Sequence, residues 1–399
     1  MSELPLHGRT VIEIASFVAG PTAGMTLAQL GADIVRIDPL GGAADVNRWP
    51  ITPDGTSIYW ASLNRGKRSV ELDIRSEPGR ELVRRMLAAP GPGRGILIDN
   101  LPNQDWLSWD ALSAVRADLI HAHIDGHRDG RPAVDYTVNA EVGIPLVTGP
   151  LGMTAPVNHV LPAWDLLCGM TVVSGVLAAL LRRDQTGEGS RIDIALADVA
   201  MAGVANLGWL TEAAAGVERA RNGNGIYGSY GDSFATSDGG HVVVVALTPA
   251  QWRGLVALTG TSQAIDALAA SENVDFEQSE SARYAHRQAI ADIFTPWFAA
   301  RDRTTVEAEL TKARVLSAPY RDFREAAELG GGPLVDLDQP GIGTVISTQS
   351  PLRWRDQPLR NEASVQRGAN TREALRDLAD VADEEYAALE TAGVLRQTG

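Results

Sequence analysis

The sequence predicts an α/β protein: a doubly wound domain on a largely parallel sheet, with a smaller α+β domain after it. Three observations predict this. The chain opens strand, turn, helix, strand within about 30 residues, and apolar runs then alternate with helical patterns as far as residue 126. A glycine-rich stretch at 222–250 ends that alternation and starts a different pattern.

The elements follow in order. VIEIASF (11–17) reads as a strand, VAGPTAG as a turn, AGMTLAQLG as a helix stopped by Gly31, and ADIVRID (32–38) as a second strand. Such a unit implies a parallel pair with a right-handed crossover. SVELDI (69–74), the helical PGRELVRRMLAA, GILIDN (95–100) and LIHAHIDG (119–126) continue it. From Pro162 to about Arg183 the pattern is helical, and RIDIALAD returns to a strand. Asp-Gly-Gly before VVVVAL predicts a hairpin. Thr248 then caps a helix with Pro249 at its first position. EEYAALETAGVL near the end is helical again. Residues 1–215 and 330–399 are assigned to the large domain and 225–325 to the small one.

Composition narrows the function classes. A net charge of −15 argues against nucleic acid as a partner, because phosphate backbones need a basic face. An uninterrupted apolar run long enough to cross a membrane is missing, and MSELPLHGRT has no signal-peptide character, so a cytoplasmic protein without a membrane span is expected. The one cysteine, Cys168, rules out an intrachain disulfide framework. Lysine occurs only at positions 67 and 312, which makes Lys67 conspicuous among arginines.

Four stretches can carry chemistry. The first turn offers Gly20 and Gly24 rather than G-x-G-x-x-G, which disfavours a dinucleotide. LNRGKRSVELD gathers Arg65, Lys67 and Arg68 around Asn64 and Gly66, a cluster suited either to a phosphate-bearing ligand or to a solvated loop. HAHIDGH puts His121, His123 and Asp125 on one face of a strand, but solvent-facing or hydrogen-bonded histidines explain that spacing better than a metal, and no metal is expected. In HVLPAWDLLCGM, Pro162 starts a helix and places Asp165 in its first turn, where free N–H groups and the dipole stabilise a carboxylate. Asp165 is thus either a helix-stabilising acid or a nucleophile, with His159 as a possible partner; Cys168, one turn on, is a lesser alternative nucleophile.

These stretches together resemble the class III CoA-transferase family over most of the chain. VIEIASFVAGPTAGMTLAQLGADIVRID resembles its opening signature, NRGKRSVELD its N-x-x-K-R-S loop, and LPAWDLLCGM through RRDQTGEGSRIDIALAD its catalytic segment. Ser190 replaces the usual glutamine, and IDNLPNQDWLS lacks the usual E-N-F-x-P-G. The resemblance implies a Rossmann-like large domain built from both chain ends, a small domain between them, and an interlocked homodimer. It implies Asp165 as the nucleophile, and CoA contacts at Val18, Ala19, Arg36, Asp38, Asn64, Arg65, Lys67 and Arg68. Substrate contacts fall on Arg48, His159, Gly225, Tyr227 and Gly228. No cofactor is permanently bound; coenzyme A arrives as part of an acyl-CoA thioester, and the other partner is a dicarboxylic acid. The longest shared stretches, FVAGPTAGMTLAQLGADIVRIDPLGGAAD, VDYTVNAEVGIPLVTGP, VNHVLPAWD and QPGIG, imply intramolecular CoA transfer between the carboxyl groups of one unsaturated C5 diacid, mesaconyl-C1-CoA to mesaconyl-C4-CoA. Intermolecular transfer to a second acid is the alternative. Racemisation and non-catalytic acyl-CoA binding follow it, since Val134 stands where the racemases carry histidine.

Overall fold

The computed structural model describes residues 3–355 and 357–398; the first two residues of the N-terminal decapeptide lie outside them. The chain divides into two compact units, 1–142 with 160–212 and 330–399, and 143–159 with 213–329. Residues 143–159 therefore group with the second unit, although the sequence reading placed 1–215 together.

In the first unit seven strands form one sheet: β1 (Thr10–Ile14), β2 (Asp33–Asp38), β3 (Lys67–Leu72), β4 (Ile96–Asp99), β5 (Ile120–Asp125), β6 (Ser190–Ala195) and a two-residue edge strand near the C-terminus, Leu395–Arg396. The spatial order is edge strand, β3, β2, β1, β4, β5, β6. All neighbours are parallel except the antiparallel edge pair. The chain winds from β1 outward through β2 and β3, then returns to lay β4, β5 and β6 on the other side. The gap between the ends of β1 and β4 is a topological switch point, where open α/β sheets hold their ligands.

Helices α1 (Ala19–Gln29), α2 (Ile58–Leu63), α3 (Glu77–Ala88), α4 (Trp109–Val115) and α5 (Asp135–Glu141) follow in order, then the short α6 (Ile144–Val147) of the second unit. Two more helices, α7 (Ala163–Thr186) and α8 (Leu196–Asn206), flank β6. One face of the sheet packs against α1, α7 and α8 through Val11, Leu27, Ile34, Ile98, Val172 and Val176. The other packs against α3, α4 and Thr371–Ala379 through Ile12, Val35, Val70, Leu82 and Leu375.

Helix α7 is longer than its sequence pattern. At 24 residues it is long and apolar enough to cross a membrane, a property not read from uninterrupted apolar runs because Asp165 interrupts the count. Cys168, Val172, Val176 and Leu180 recur at helical spacing and are buried in the sheet core. Gly169 lets α7 cross the start of α1 closely, since a Cβ there would stand 2.8 Å from the Ala19 carbonyl oxygen.

In the second unit β7 (Tyr230–Ala235), β8 (His241–Ala246) and β9 (Leu316–Pro319) form an antiparallel sheet in that order. The hairpin turn falls at Asp238-Gly239-Gly240 as expected, and Thr248 caps Pro249–Thr259 by accepting from the Gln251 N–H at 3.2 Å. Phe234, Trp252, Phe294 and Phe298 fill its core. QPGIG turns a further hairpin, Leu334–Gln339 against Gly343–Thr348, in the first unit.

Candidate active site

The switch point opens into a cavity of about 660 Å³ lined by Phe17, Val18, Ala19, Arg48, Tyr59 and Asp165, among others. A second cavity of about 310 Å³ shares Ser16, Asn100, Leu101 and Pro102 with it and extends to Asp38, Ile74 and Arg75. The two adjoin at these residues and make a cleft outside the carboxyl ends of β1 and β4. The Asn100 side chain clamps the first turn, accepting from the Ser16 N–H (3.2 Å) and donating to the Ser16 carbonyl (3.1 Å).

Asp165 lies in the first turn of α7, as its spacing predicts, but another acid caps the helix. The buried Asp135 accepts through Oδ2 from the N–H groups of Trp164 (2.7 Å) and Asp165 (3.2 Å). Four residues on, Asn139 accepts from the Trp164 indole at 3.0 Å, so one face of α5 holds the start of α7. Burial and then the like charge of Asp135 push the Asp165 carboxyl up to about 6, with Arg48 opposing. The result is a carboxylate that is poorly solvated yet ionised at neutral pH.

Arg48 sits with its guanidinium 5.5 Å from the Phe17 ring and 5.3 Å from the Tyr59 ring. Stacking of this kind holds the cation while leaving its N–H groups for a ligand. The Tyr59 hydroxyl is buried with no hydrogen-bond partner among the described residues, and burial pushes its pKa up to about 12, so it remains a donor.

The basic loop at 64–68 is largely buried. Lys67 and Asn64 are buried, as are Arg36 and Asp38 on β2, and their polar groups satisfy one another. Lys67 Nζ donates to Glu13 Oε1 (2.8 Å), Asn64 Oδ1 (2.9 Å) and the Pro21 carbonyl (3.0 Å), three acceptors for three N–H bonds. Arg36 donates to both Asp38 oxygens (3.0 and 3.1 Å) and to Asn64 Oδ1 (2.9 Å). Arg65 donates to Ser347 and Asn361, and Arg68 pairs with Asp33 and Asp377. These side chains thus form an internal hydrogen-bonded scaffold. Asp38 reaches the cleft wall, and Val18 and Ala19 line the larger cavity. Sequence reasoning missed Asp135, Tyr59 and Asn100. The signal for the first was present: Asp135 stands directly beside Val134, the position compared with the racemases.

His159, Gly225, Tyr227 and Gly228 all lie in the second unit. There the Arg219 guanidinium lies 3.6 Å from the Tyr227 ring, and the Tyr284 ring lies 5.0 Å from it. Cys168 is fully buried, and burial followed by the Asp165 charge pushes its thiol up to about 12, which removes it as a nucleophile.

Asp99, His121 and His123 present ligand atoms within 4.8 Å of one another. Asp99 bonds His121 Nε2 at 2.5 Å and His123 Nδ1 at 2.8 Å, while Arg191 donates to His121 Nδ1 at 2.7 Å. Arg191 can only donate, so Nδ1 of His121 accepts from it and Nε2 faces Asp99. Burial opposes charge on His123, yet its bond to Asp99 holds its pKa above the usual value. An arginine at this distance works against a metal cation, and the hydrogen bonds account for the cluster.

Comparison with known proteins places the chain in one family. The model of CoA-transferase family III matches residues 6–365, and the chain belongs to that family. It is 42% identical to 2-methylfumaryl-CoA isomerase of Chloroflexus aurantiacus, over 98% of this chain and 97% of the relative. Succinyl-CoA:mesaconate CoA-transferase of Haloarcula hispanica is 28% identical over 87% of this chain and 89% of its own length. Among solved structures, a CAIB/BAIF family protein from Brucella suis aligns with a TM-score of 0.76 at 28% identity, covering 94% of this chain and all of that one (100%).

Proposed function

We propose that the chain transfers CoA between the C1 and C4 carboxyl groups of mesaconate (2-methylfumarate) without releasing the acid. The observation that carries this reading is a poorly solvated, ionised Asp165 in the switch-point cavity, in a chain similar over nearly its whole length to an isomerase of that substrate.

Asp165 attacks the C1 thioester carbonyl; a C–O bond forms, the C–S bond breaks, and a mixed anhydride and CoA thiolate result. The thiolate attacks the aspartyl carbonyl, leaving aspartyl-CoA thioester and mesaconate. Mesaconate turns over, its C4 carboxylate attacks that thioester, and the thiolate is freed again. Attack of the thiolate on the C4 acyl carbon regenerates the Asp165 carboxylate. Each exchange lies between activated acyl groups of similar energy, which is the advantage of covalent catalysis.

CoA lies along the cleft past Asn100 and Asp38, with exposed Arg75 placed for a phosphate. Arg48 receives the free carboxylate of mesaconate. The Tyr59 hydroxyl donates to the acyl oxygen as negative charge develops on it. Tyr59→Phe is expected to lower kcat by about 10- to 100-fold with little change in KM, measured by steady-state kinetics; an unchanged kcat removes Tyr59 from the mechanism.

The protein acts as an interlocked homodimer. In support, Leu167, Met170 and Leu181 on α7 and Met201 on α8 are exposed apolar side chains of the kind an interface covers. The activity is tested by incubating mesaconyl-C1-CoA alone and following the C4 isomer by NMR. Isomer must form without a second acid. If labelled mesaconate enters the thioester as fast as isomer forms, the transfer is intermolecular instead.

A further inference from the structure

We propose that Asp45, held by Arg36, is a positioning residue that fixes the Phe17 backbone so that the Phe17 ring seats Arg48 beside Asp165. This rests on the reading of Asp165 as the reacting carboxylate.

Phe17 has φ of 67°, in the left-handed region that a bulky side chain rarely enters. Something outside the turn must hold it there. The Phe17 N–H donates to Asp45 Oδ2 at 2.8 Å. Asp45 is 1% exposed and does not line the cavity, so it acts only through what it holds. Arg36 NH2 lies 3.3 and 3.4 Å from the two Asp45 oxygens, and Arg36 is itself locked by Asp38 and Asn64. The carboxylate therefore has one orientation.

Asp45 also anchors the other half of the contact. Its carbonyl accepts the Arg48 N–H at 3.0 Å, and the Arg48 carbonyl accepts from Ser57 Oγ at 2.6 Å. One residue thus ties down the backbones of both Phe17 and Arg48, whose side chains then meet at 5.5 Å. Asn100 clamps Ser16 alongside. If the turn relaxes, Phe17 leaves the guanidinium, and Arg48 loses the face that directs it into the cavity.

The charged and titratable groups acting around Asp165 are Asp135 on α5, Arg48 from the 39–57 segment, Tyr59 on α2 and Cys168 on its own helix. Arg48 alone among them favours the ionised form, so its displacement raises the Asp165 pKa.

The test compares Asp45→Ala, Phe17→Gly and Phe17→Tyr with wild type. Glycine accepts a positive φ without strain, so Phe17→Gly removes the ring while keeping the turn. Two readouts are taken: the acid limb of kcat/KM, and the Asp165 pKa from the pH dependence of the stability difference between each protein and its Asp165→Asn derivative. Asp45→Ala and Phe17→Gly should raise both by at least ~0.5 pH unit and lower kcat about 10-fold, whereas Phe17→Tyr, which keeps a ring face for Arg48, should leave the stability-derived Asp165 pKa where it is in wild type. If both variants only unfold more easily and the stability-derived pKa stays put, Asp45 is merely structural and the proposal falls. If that pKa moves while the kinetic limb does not, the positioning stands and the nucleophile reading fails.

Discussion

Replacing Asp165 by asparagine is expected to reduce turnover by at least ~10⁴-fold while leaving CoA affinity within a few-fold of wild type, because the change removes the attacking oxygen and little else. Hydroxylamine added during turnover should yield a hydroxamate at Asp165 in wild type and none in the variant. Retained activity would dismiss the covalent route altogether. The pH dependence follows from the same group. Burial and the Asp135 charge raise the Asp165 carboxyl from 3.8 to about 6, so kcat/KM should fall below about pH 6 as the nucleophile is protonated. The sign for stability runs the other way. Between those two pH values the folded state holds a proton the unfolded chain has lost, so stability declines as pH rises through that window. Asparagine escapes this, and at pH 7 the variant should be more stable by about 1–3 kcal/mol, towards the lower figure because Asp165 is partly solvated. An active site that weakens the fold is the expected mark of function rather than of capping.

Lys67→Met is expected to destabilise the protein by about 3–5 kcal/mol in denaturant unfolding, the cost of leaving a buried charge without its partner. Glu13 is wholly buried and would keep only Arg36, at 3.6 Å, as a counter-charge. Burial pulls the Lys67 ammonium down to about 8 even with Glu13 beside it. The double variant Glu13→Gln with Lys67→Met should recover most of the loss, since a neutral pair has no ion to strand. Lys67→Arg should not rescue. Three acceptors converge on one nitrogen, and a planar fork cannot meet them. A pair of single variants that each cost less than ~1 kcal/mol would mean that this network is solvated and does not scaffold the turn.

Much of the fold was legible because its signals are local. Strand runs, the glycine after the first helix and the Thr248-Pro249 start each act within a few residues, and the structure places them where the pattern put them. The boundary at 143–159 was not legible, because which unit a connecting segment packs against depends on long-range burial. The site divided in the same way. Asp165 stood out as an acid among apolar neighbours. Residues 64–68 read equally well as a ligand cluster, because sequence shows charge but not what it faces. Glu13 lies far upstream in β1, beneath Gly24, whose missing Cβ makes room for its carboxylate.

The sequence by itself determined the alternating α/β order, the hairpin, the placement of Asp165 at the start of a helix and the family resemblance. The tertiary structure alone decided that Asp135 caps that helix, that Lys67 and Arg36 belong to a buried lattice with Glu13, and that the cleft runs past Asn100. The physical reason is reach. Helix starts and turns are set by neighbours in the chain, whereas the value of a charge is set by its solvation and by the groups opposite it, which only the closing of the sheet brings together.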